Sequence, residues 1–138
     1  MPYPRQQPGR QFYRWYFYDP TQPLATQTKG VPVKLKSTSW FGGDIGSAVV
    51  KDMSGGGAGL LVPRKDKVPE KFWVGYDRET RVKAQVKYRQ LVDDKLEFLG
   101  VAWVSAEPQL VLKLLRKLRR RAFVIKQQPV RLVQNTTA

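Results

Sequence analysis

The chain has 138 residues, of which 25 are lysine or arginine and 11 are aspartate or glutamate, so its formal net charge is +14. It contains no cysteine and no histidine, which excludes disulfides, thiol chemistry, zinc sites built on these residues and imidazole-based catalytic triads. No apolar stretch approaches the roughly 20 residues of a membrane-spanning helix, and the absence of cysteine fits a reducing compartment, so we expect one soluble, cytoplasmic domain.

The first 24 residues contain five prolines and predict a flexible N-terminal arm without regular structure. Arg10 and Arg14 lie four positions apart in this arm, beside a run of aromatic residues between 12 and 17. An arginine side chain carries a fixed charge and a planar fork of donors, which suits phosphates and guanine edges. The aromatic residues either pack the arm onto the domain or stack on a ligand, and packing is the commoner use of such a cluster.

Residues 25–104 carry the signals of short strands and tight turns. Residues 31–37 alternate between apolar and polar side chains, two apolar runs at 45–51 and 58–62 follow, and further strands are predicted at 72–76, 82–89 and 96–104. Turns are predicted at 42–44, 77–79 and 93–95, with a charged loop at 63–67. In the strand at 82–89, the alternation predicts that Val82, Ala84, Val86 and Tyr88 face the core. This succession predicts a mostly β fold, an antiparallel sandwich or barrel.

Residues 52–57 are predicted to connect two of these strands. Asp52 and Ser54 supply a carboxylate and a hydroxyl group, and Gly55, Gly56 and Gly57 leave the backbone N–H groups open to close approach. A plain hairpin turn explains the same residues, because Asp and Ser also cap turns. The Gly-Lys-Ser/Thr ending of a nucleotide-hydrolysing P-loop is absent.

Residues 105–128 predict a basic amphipathic helix, followed by a tail at 129–138. Ser105 is placed to cap this helix, Pro108 suits its first turn and Pro129 ends it. The predicted apolar stripe consists of Leu110, Leu114, Leu118, Ala122 and Ile125.

The sequence alone does not decide what this helix contacts. Eight basic residues and no acidic residue lie between 109 and 138, which suits either an anionic partner or a solvated helix face. The helix either packs on the barrel, mediates self-association through Leu114, Leu115 and Leu118, or docks its cationic face on a partner.

Two separated motifs resemble those of the PilZ domain, the bacterial receptor for the second messenger cyclic di-GMP. The Arg-x-x-x-Arg motif of the family corresponds to Arg10 and Arg14, and its Asp/Asn-x-Ser-x-x-Gly motif corresponds to Asp52, Ser54 and Gly57. A weaker similarity lies at residues 98–103, where the family has a Leu-Gly-Val-x-Phe pattern. The resemblance covers roughly residues 10–103.

The resemblance implies a six-stranded antiparallel β-barrel with an N-terminal arginine-bearing arm and a C-terminal helix. Arg10 and Arg14 would contact guanine and phosphate, Asp52 would accept from a guanine N–H edge, Ser54 would bond near base or phosphate, and Gly57 would leave room for the ligand. Arg5, Gln6 and Gly56 would be additional contacts.

The resemblance also implies a function. The ligand would be cyclic di-GMP, with no cofactor and no metal, and its binding would change the conformation of the domain. The domain would thereby regulate a partner or an attached enzyme in motility, biofilm formation or exopolysaccharide synthesis. A domain of this family that no longer binds ligand is disfavoured because all five motif residues are present.

An enzyme is not predicted, because the acidic residues are scattered at turns and no pair is spaced for acid–base work. The alternative from another class is a small nucleic-acid-binding barrel. In that case Trp15, Tyr16, Phe72 and Trp73 would stack on bases and the basic tail would follow the backbone of the nucleic acid.

Overall fold

A computed structural model describes residues 3–5, 14–18, 29–39, 42–104 and 106–127, and of residues 3–5 and 124–127 it describes the backbone. The strands and the helix are β1 (Tyr3–Arg5), β2 (Arg14–Tyr16), β3 (Val31–Ser37), β4 (Asp44–Ser54), β5 (Gly57–Pro63), β6 (Lys71–Gly75), β7 (Arg81–Leu91), β8 (Leu96–Trp103) and α1 (Pro108–Gln127). Within the described ranges, no helix is long and apolar enough to cross a membrane.

Six of the strands form a closed antiparallel barrel. Their order around the barrel is β4, β3, β6, β7, β8 and β5, and β5 pairs back with β4. The mostly β fold with a six-stranded antiparallel barrel and a C-terminal helix is therefore confirmed. The N-terminal arm, predicted to lack regular structure, contains two short strands that extend the sheet beyond the barrel: β1 pairs with β2, and β2 pairs with the last residues of β4. The prediction is therefore wrong for residues 3–5 and 14–16.

Alternating side chains fill the barrel as the sequence predicts. In β3, Val31, Val33 and Leu35 are buried, whereas the side chains between them are exposed. The tight turns are closed by aspartate side chains: Asp77 accepts from the backbone N–H of Thr80 at 2.8 Å, and Asp93 accepts from that of Leu96 at 2.9 Å. The predicted charged loop contains a short 3-10 helix, Arg64–Asp66.

Helix α1 packs on the barrel through a stripe that differs from the predicted one. Leu110 is exposed, and Val111 is buried in its place. The predicted members Leu114, Leu118 and Ala122 are buried, and the first turn contributes Val111, three residues before Leu114, in place of Leu110, four residues before it. The predicted cap Ser105, the end at Pro129 and the side chain of Ile125 lie outside the described residues.

The three leucines that self-association was predicted to use are buried within the chain itself, and self-association stays a prediction. Leu114, Leu115 and Leu118 belong to the hydrophobic core that the helix shares with the barrel, so they are not available to a second chain. Burying a leucine side chain of this kind stabilises a fold by about 1.5–3 kcal/mol. These leucines therefore hold α1 on the barrel.

A bulge in β4 sets the direction of the side chains that follow it. Val50 pairs with Leu60 of β5 and Asp52 pairs with Gly59, so Lys51 is an extra residue in the ladder. An extra residue shifts the alternation of the strand by one position. Val50 therefore faces the core, and Asp52, two residues later, faces the outer surface of the barrel.

A second bulge has the same effect in β7. Val86 pairs with Val101 of β8 and Tyr88 pairs with Gly100, which leaves Lys87 as the extra residue. The prediction that Tyr88 faces the core is wrong, because its side chain is 55% exposed whereas that of Val86 is buried. The two bulges turn Asp52 and Tyr88 toward the same outer face.

Candidate functional site

The short ladder between β2 and β4 brings Arg14 to the Asp-x-Ser motif. Arg14 pairs directly with Ser54, and Tyr16 pairs with Asp52, so these four side chains share one face of the sheet. The Nη1 atom of Arg14 forms an ion pair with Oδ1 of Asp52, and its Nη2 atom lies 3.5 Å from Oγ of Ser54. The structure therefore joins two motifs that are 38 residues apart in the sequence.

This ion pair is largely withdrawn from solvent. The side chains of Arg14 and Asp52 are 12% and 8% exposed, respectively, and in such surroundings a charged pair is screened less than at the surface. The Nε atom of Arg14 is buried and has no hydrogen-bond partner among the described residues. One donor of the guanidinium group is thus left for an acceptor that the described part of the chain does not supply.

The turn after β4 is shorter than predicted. Asp52 and Ser54 belong to β4 itself, and only Gly55 and Gly56 separate it from β5. The Oγ atom of Ser54 accepts from the backbone N–H of Gly56 at 3.2 Å, and the Ser54 carbonyl accepts from Nε1 of Trp103 at 3.1 Å. The hydroxyl group of Ser54 thus lies between the turn and Arg14, and Trp103 fixes the backbone of this residue.

Glycines form the floor of an open cleft of about 580 Å³ beside this ion pair, a volume within the usual range of ligand sites. The direct pairing runs across the sheet from Asp52 to Gly59, then to Gly100 and to Tyr88. A Cβ atom at Gly59 would lie 2.5 Å from Oδ2 of Asp52 and would overlap the ring of Phe98. A side chain at this position would therefore fill the floor.

Gly57 and Gly56 also line the cleft. A Cβ atom at Gly57 would overlap the carbonyl oxygen of Val101 in β8. Glycine is thus required there by the close approach of β5 to β8. The predicted ligand contacts of Gly57 and Gly56 stay predictions.

The wall opposite Asp52 is aromatic, and the sequence pattern does not predict it. Tyr88 and Phe98 lie with their ring centroids 6.3 Å apart, and both line the cleft together with Lys87 and Gln90. A Cβ atom at Gly100 would overlap the Tyr88 ring, so this ring leans over the floor. The signal in the sequence was Gly100, which is the cross-strand partner of Tyr88, but the bulge at Lys87 hides that pairing.

The aromatic residues after Arg14 divide between packing and the cleft. Phe17 is part of the core and Trp15 packs against it, while Tyr16 and Tyr18 line the cleft. Burial raises the pKa of the Tyr18 hydroxyl above its ordinary value, and the negative charge of Asp52 raises it further. Tyr18 therefore stays a neutral hydrogen-bonding group at physiological pH.

Lys51, the bulge residue, is fully buried behind the site. Its Nζ atom donates to the Lys29 carbonyl and lies 5.8 Å from the centroid of the Tyr18 ring. Burial lowers the pKa of its ammonium group. The backbone carbonyl of Lys51 accepts from the N–H of Phe17 at 2.8 Å, which continues the attachment of the arm to β4.

The structure describes at most the backbone of three other residues that were predicted to contact the ligand. Arg10 and Gln6 lie outside the described residues. The backbone of Arg5 pairs directly with Arg14 in the β1–β2 ladder. Their predicted contacts with the ligand stay predictions.

The residues that the nucleic-acid alternative assigned to base stacking do not form one platform. Phe72 is fully buried in the core. Trp15 packs against the core, and the Arg119 guanidinium lies 3.7 Å from its ring centroid. The ring of Trp73 is covered by the Arg81 guanidinium at 4.5 Å. These three residues therefore do not form the exposed aromatic row on which bases would stack.

No protein-family model and no curated protein sequence matches the chain at a significant level. Among solved structures, the chain is similar to the PilZ domain of YcgR from Escherichia coli with cyclic di-GMP, at 15% identity and a TM-score of 0.46, over 91% of this chain and 98% of that one. It is equally similar to YcgR from Escherichia coli in complex with cyclic di-GMP, at 15% identity and a TM-score of 0.46, over 93% of this chain and 50% of that one. The first of these structures contains a domain of the family that the two motifs resemble.

Proposed function

We propose that this chain is a PilZ-type receptor domain that binds cyclic di-GMP in the glycine-floored cleft and acts as a binding module, not an enzyme. The observation that carries the proposal is the convergence of Arg14, Asp52 and Ser54 at one edge of that cleft. An arginine fork, a carboxylate and a hydroxyl group are what a guanine base with a neighbouring phosphate requires.

Asp52 is the residue that would select guanine. Its Oδ1 atom pairs with Arg14, and its Oδ2 atom is directed over Gly59 toward the cleft. A guanine presents N–H donors on its Watson–Crick edge, which a carboxylate accepts, whereas the corresponding edge of adenine places a ring acceptor there. Hydrogen bonds to a charged group of this kind contribute about 1.5–3 kcal/mol each.

Arg14 would contribute charge and donors to the same ligand. Its Nε atom has no hydrogen-bond partner among the described residues, and a phosphate oxygen or guanine O6 is a suitable acceptor. Arg10 would close over the ligand from the N-terminal arm. Ordering the arm on the ligand has an entropic cost of about 1–2 kcal/mol per residue. Binding and the change of conformation would therefore be coupled.

The route from the ligand to the rest of the chain would run through Trp15. This residue follows Arg14 in β2, and its ring lies 3.7 Å from the guanidinium carbon of Arg119 in α1. A ligand that moves Arg14 would therefore act on a strand that is in contact with α1. The regulated partner, and the output in motility, biofilm or exopolysaccharide synthesis, stay predictions from the family resemblance. The cytoplasmic location stays a prediction from the composition.

Titration with two ligands at about 150 mM salt tests the proposal. We expect the binding of cyclic di-GMP to saturate at a fixed stoichiometry. Its affinity should depend only weakly on salt, because the ligand carries only two phosphates. A single-stranded oligonucleotide that binds through the basic residues should lose affinity steeply as salt rises. Oligonucleotide binding without cyclic di-GMP binding would contradict the proposal and favour the nucleic-acid alternative.

A further inference from the structure

The ring of Tyr88 lies on the outer face of the barrel, where it covers its cross-strand partner Gly100. It is one of the large apolar side chains that stay exposed, at 55%, although the same strand buries Val82, Ala84 and Val86. The bulge at Lys87 turns it outward. Because the inner face of the ring rests on Gly100, its exposed part points away from the sheet, and an exposed aromatic face is able to stack on a planar group.

Tyr88 is supported from one side. Phe98 lies behind it at a centroid distance of 6.3 Å with the rings inclined by 33°, and Phe98 itself is buried. The ring also rests over Gly100, where a Cβ atom would overlap three of its carbon atoms. Phe98 and the barrel strand beneath thus limit the positions of the Tyr88 ring, which lowers the entropy lost when a ligand stacks on it.

The aromatic pair and the carboxylate meet above the same residue. A Cβ atom at Gly59 would come against both Oδ2 of Asp52 and Cζ of Phe98, so these two atoms lie within about 5 Å of each other. A planar base that reaches Asp52 with its edge over Gly59 would therefore have its face beside the Tyr88 and Phe98 rings.

We infer that Tyr88 is a stacking residue for the guanine whose edge bonds to Asp52, with Phe98 as its support. This inference rests on the proposed function and adds to it a residue that belongs to neither sequence motif. Asp52 would then select the edge of the base and Tyr88 would bind its face. Aromatic stacking contributes to affinity for every base, because each base has a π-face.

The test compares Tyr88→Ala, Tyr88→Phe and Leu91→Ala by calorimetric titration with cyclic di-GMP. Leu91 is also exposed, at 60%, and lies on the same strand outside the residues that line the cleft. We expect Tyr88→Ala to weaken binding at least about fivefold, a loss typical of one stacked base, while Tyr88→Phe and Leu91→Ala bind within about twofold of the unaltered chain.

The guanine H8 resonance of the bound ligand gives a second readout. Stacking on a ring moves this resonance upfield, so we expect the shift with the unaltered chain and with Tyr88→Phe, and its loss with Tyr88→Ala at saturating protein. Unchanged affinity and an unchanged H8 shift in Tyr88→Ala would overturn the inference and leave the proposed function intact. Absence of cyclic di-GMP binding by the unaltered chain would overturn both.

Discussion

Arg14 and Asp52 form the central contact of the site, and each would exchange part of that contact for the ligand. The ion pair keeps two nearly buried charges compensated in the free protein. Removing one partner of such a pair leaves the other charge unpaired, which is costly. A ligand that replaces part of the pair must therefore supply both an acceptor for arginine and donors for the carboxylate, and guanine with a phosphate does so.

Arg14→Ala should weaken cyclic di-GMP binding at least about tenfold, which corresponds to about 1.4 kcal/mol. Arg14→Lys should recover only part of this loss, because lysine keeps the charge and loses the planar fork of donors. Calorimetric titration measures both. Arg64→Ala is the matched control, since Arg64 bonds to the Asp94 carbonyl and does not line the cleft. Equal affinities of the Arg14 variants and the control would exclude the assigned role.

Gly59→Ala should weaken binding at least about fivefold, on the order of 1 kcal/mol. The added Cβ would displace Oδ2 of Asp52 and the ring of Phe98, both of which face the ligand in the proposed complex. Gly75→Ala is the control, because a Cβ there would meet its nearest neighbour, the Lys34 carbonyl oxygen, at an ordinary 3.8 Å. The prediction fails when fluorescence titration gives the two variants the same affinity for cyclic di-GMP.

At the scale of strands and helix, α1 is fastened to the turn between β6 and β7. The Lys117 ammonium donates to Oδ2 of Asp77 at 2.6 Å and to the Thr80 hydroxyl at 2.7 Å. The hydrogen bond from Lys117 is the main reason that the pKa of Asp77 is lowered to about 2. A carboxyl group with a lowered pKa in the folded state stabilises the fold above its unfolded pKa of about 3.9.

Lys117→Met should therefore lower the unfolding temperature at neutral pH and reduce the loss of stability as pH falls from about 4 to about 2. In the unaltered chain this contribution is present above about pH 4 and disappears as Asp77 is protonated near pH 2. Thermal unfolding followed by circular dichroism across this range is the measurement. Lys113→Met should change little, because Lys113 is 45% exposed and lies 4.0 Å from Glu79. If the unfolding temperature of Lys117→Met follows that of the unaltered chain at every pH, the bond between Lys117 and Asp77 does not stabilise the fold.

The barrel strands were predictable because alternation of apolar and polar residues reports directly which face is buried. The same signal failed at Lys51 and Lys87, since a bulge shifts the alternation without leaving a mark in composition. Asp52 was assigned to a turn and Tyr88 to the core for this reason. The pairing of Arg14 with Asp52 was available only through the family motif, because contacts between residues so distant in the chain depend on the closed barrel.

At the scale of the whole molecule, the basic residues of α1 lie outside the candidate site. No described residue of α1 lines the cleft, although α1 contains Lys113, Arg116 and Arg120 on its exposed side. Removing charge from the exposed side of α1 therefore tests whether the helix takes part in binding the ligand.

Replacing both Arg116 and Arg120 with glutamine should leave cyclic di-GMP affinity within about twofold. The same change should weaken binding of a single-stranded oligonucleotide and reduce the slope of log K against log salt by about 1.4, which is the effect of two fewer neutralised phosphates. Fluorescence anisotropy at several salt concentrations measures both ligands. A loss of more than about fivefold for cyclic di-GMP would show that α1 belongs to the site.

A crystal structure of the chain with cyclic di-GMP is the most direct measurement of where the ligand binds. We predict a guanine above Gly59, with its N–H edge on Asp52 and with Arg14 directed to the base or to a phosphate. A ligand bound on α1, with the pair between Arg14 and Asp52 intact and the cleft unoccupied, would contradict the account.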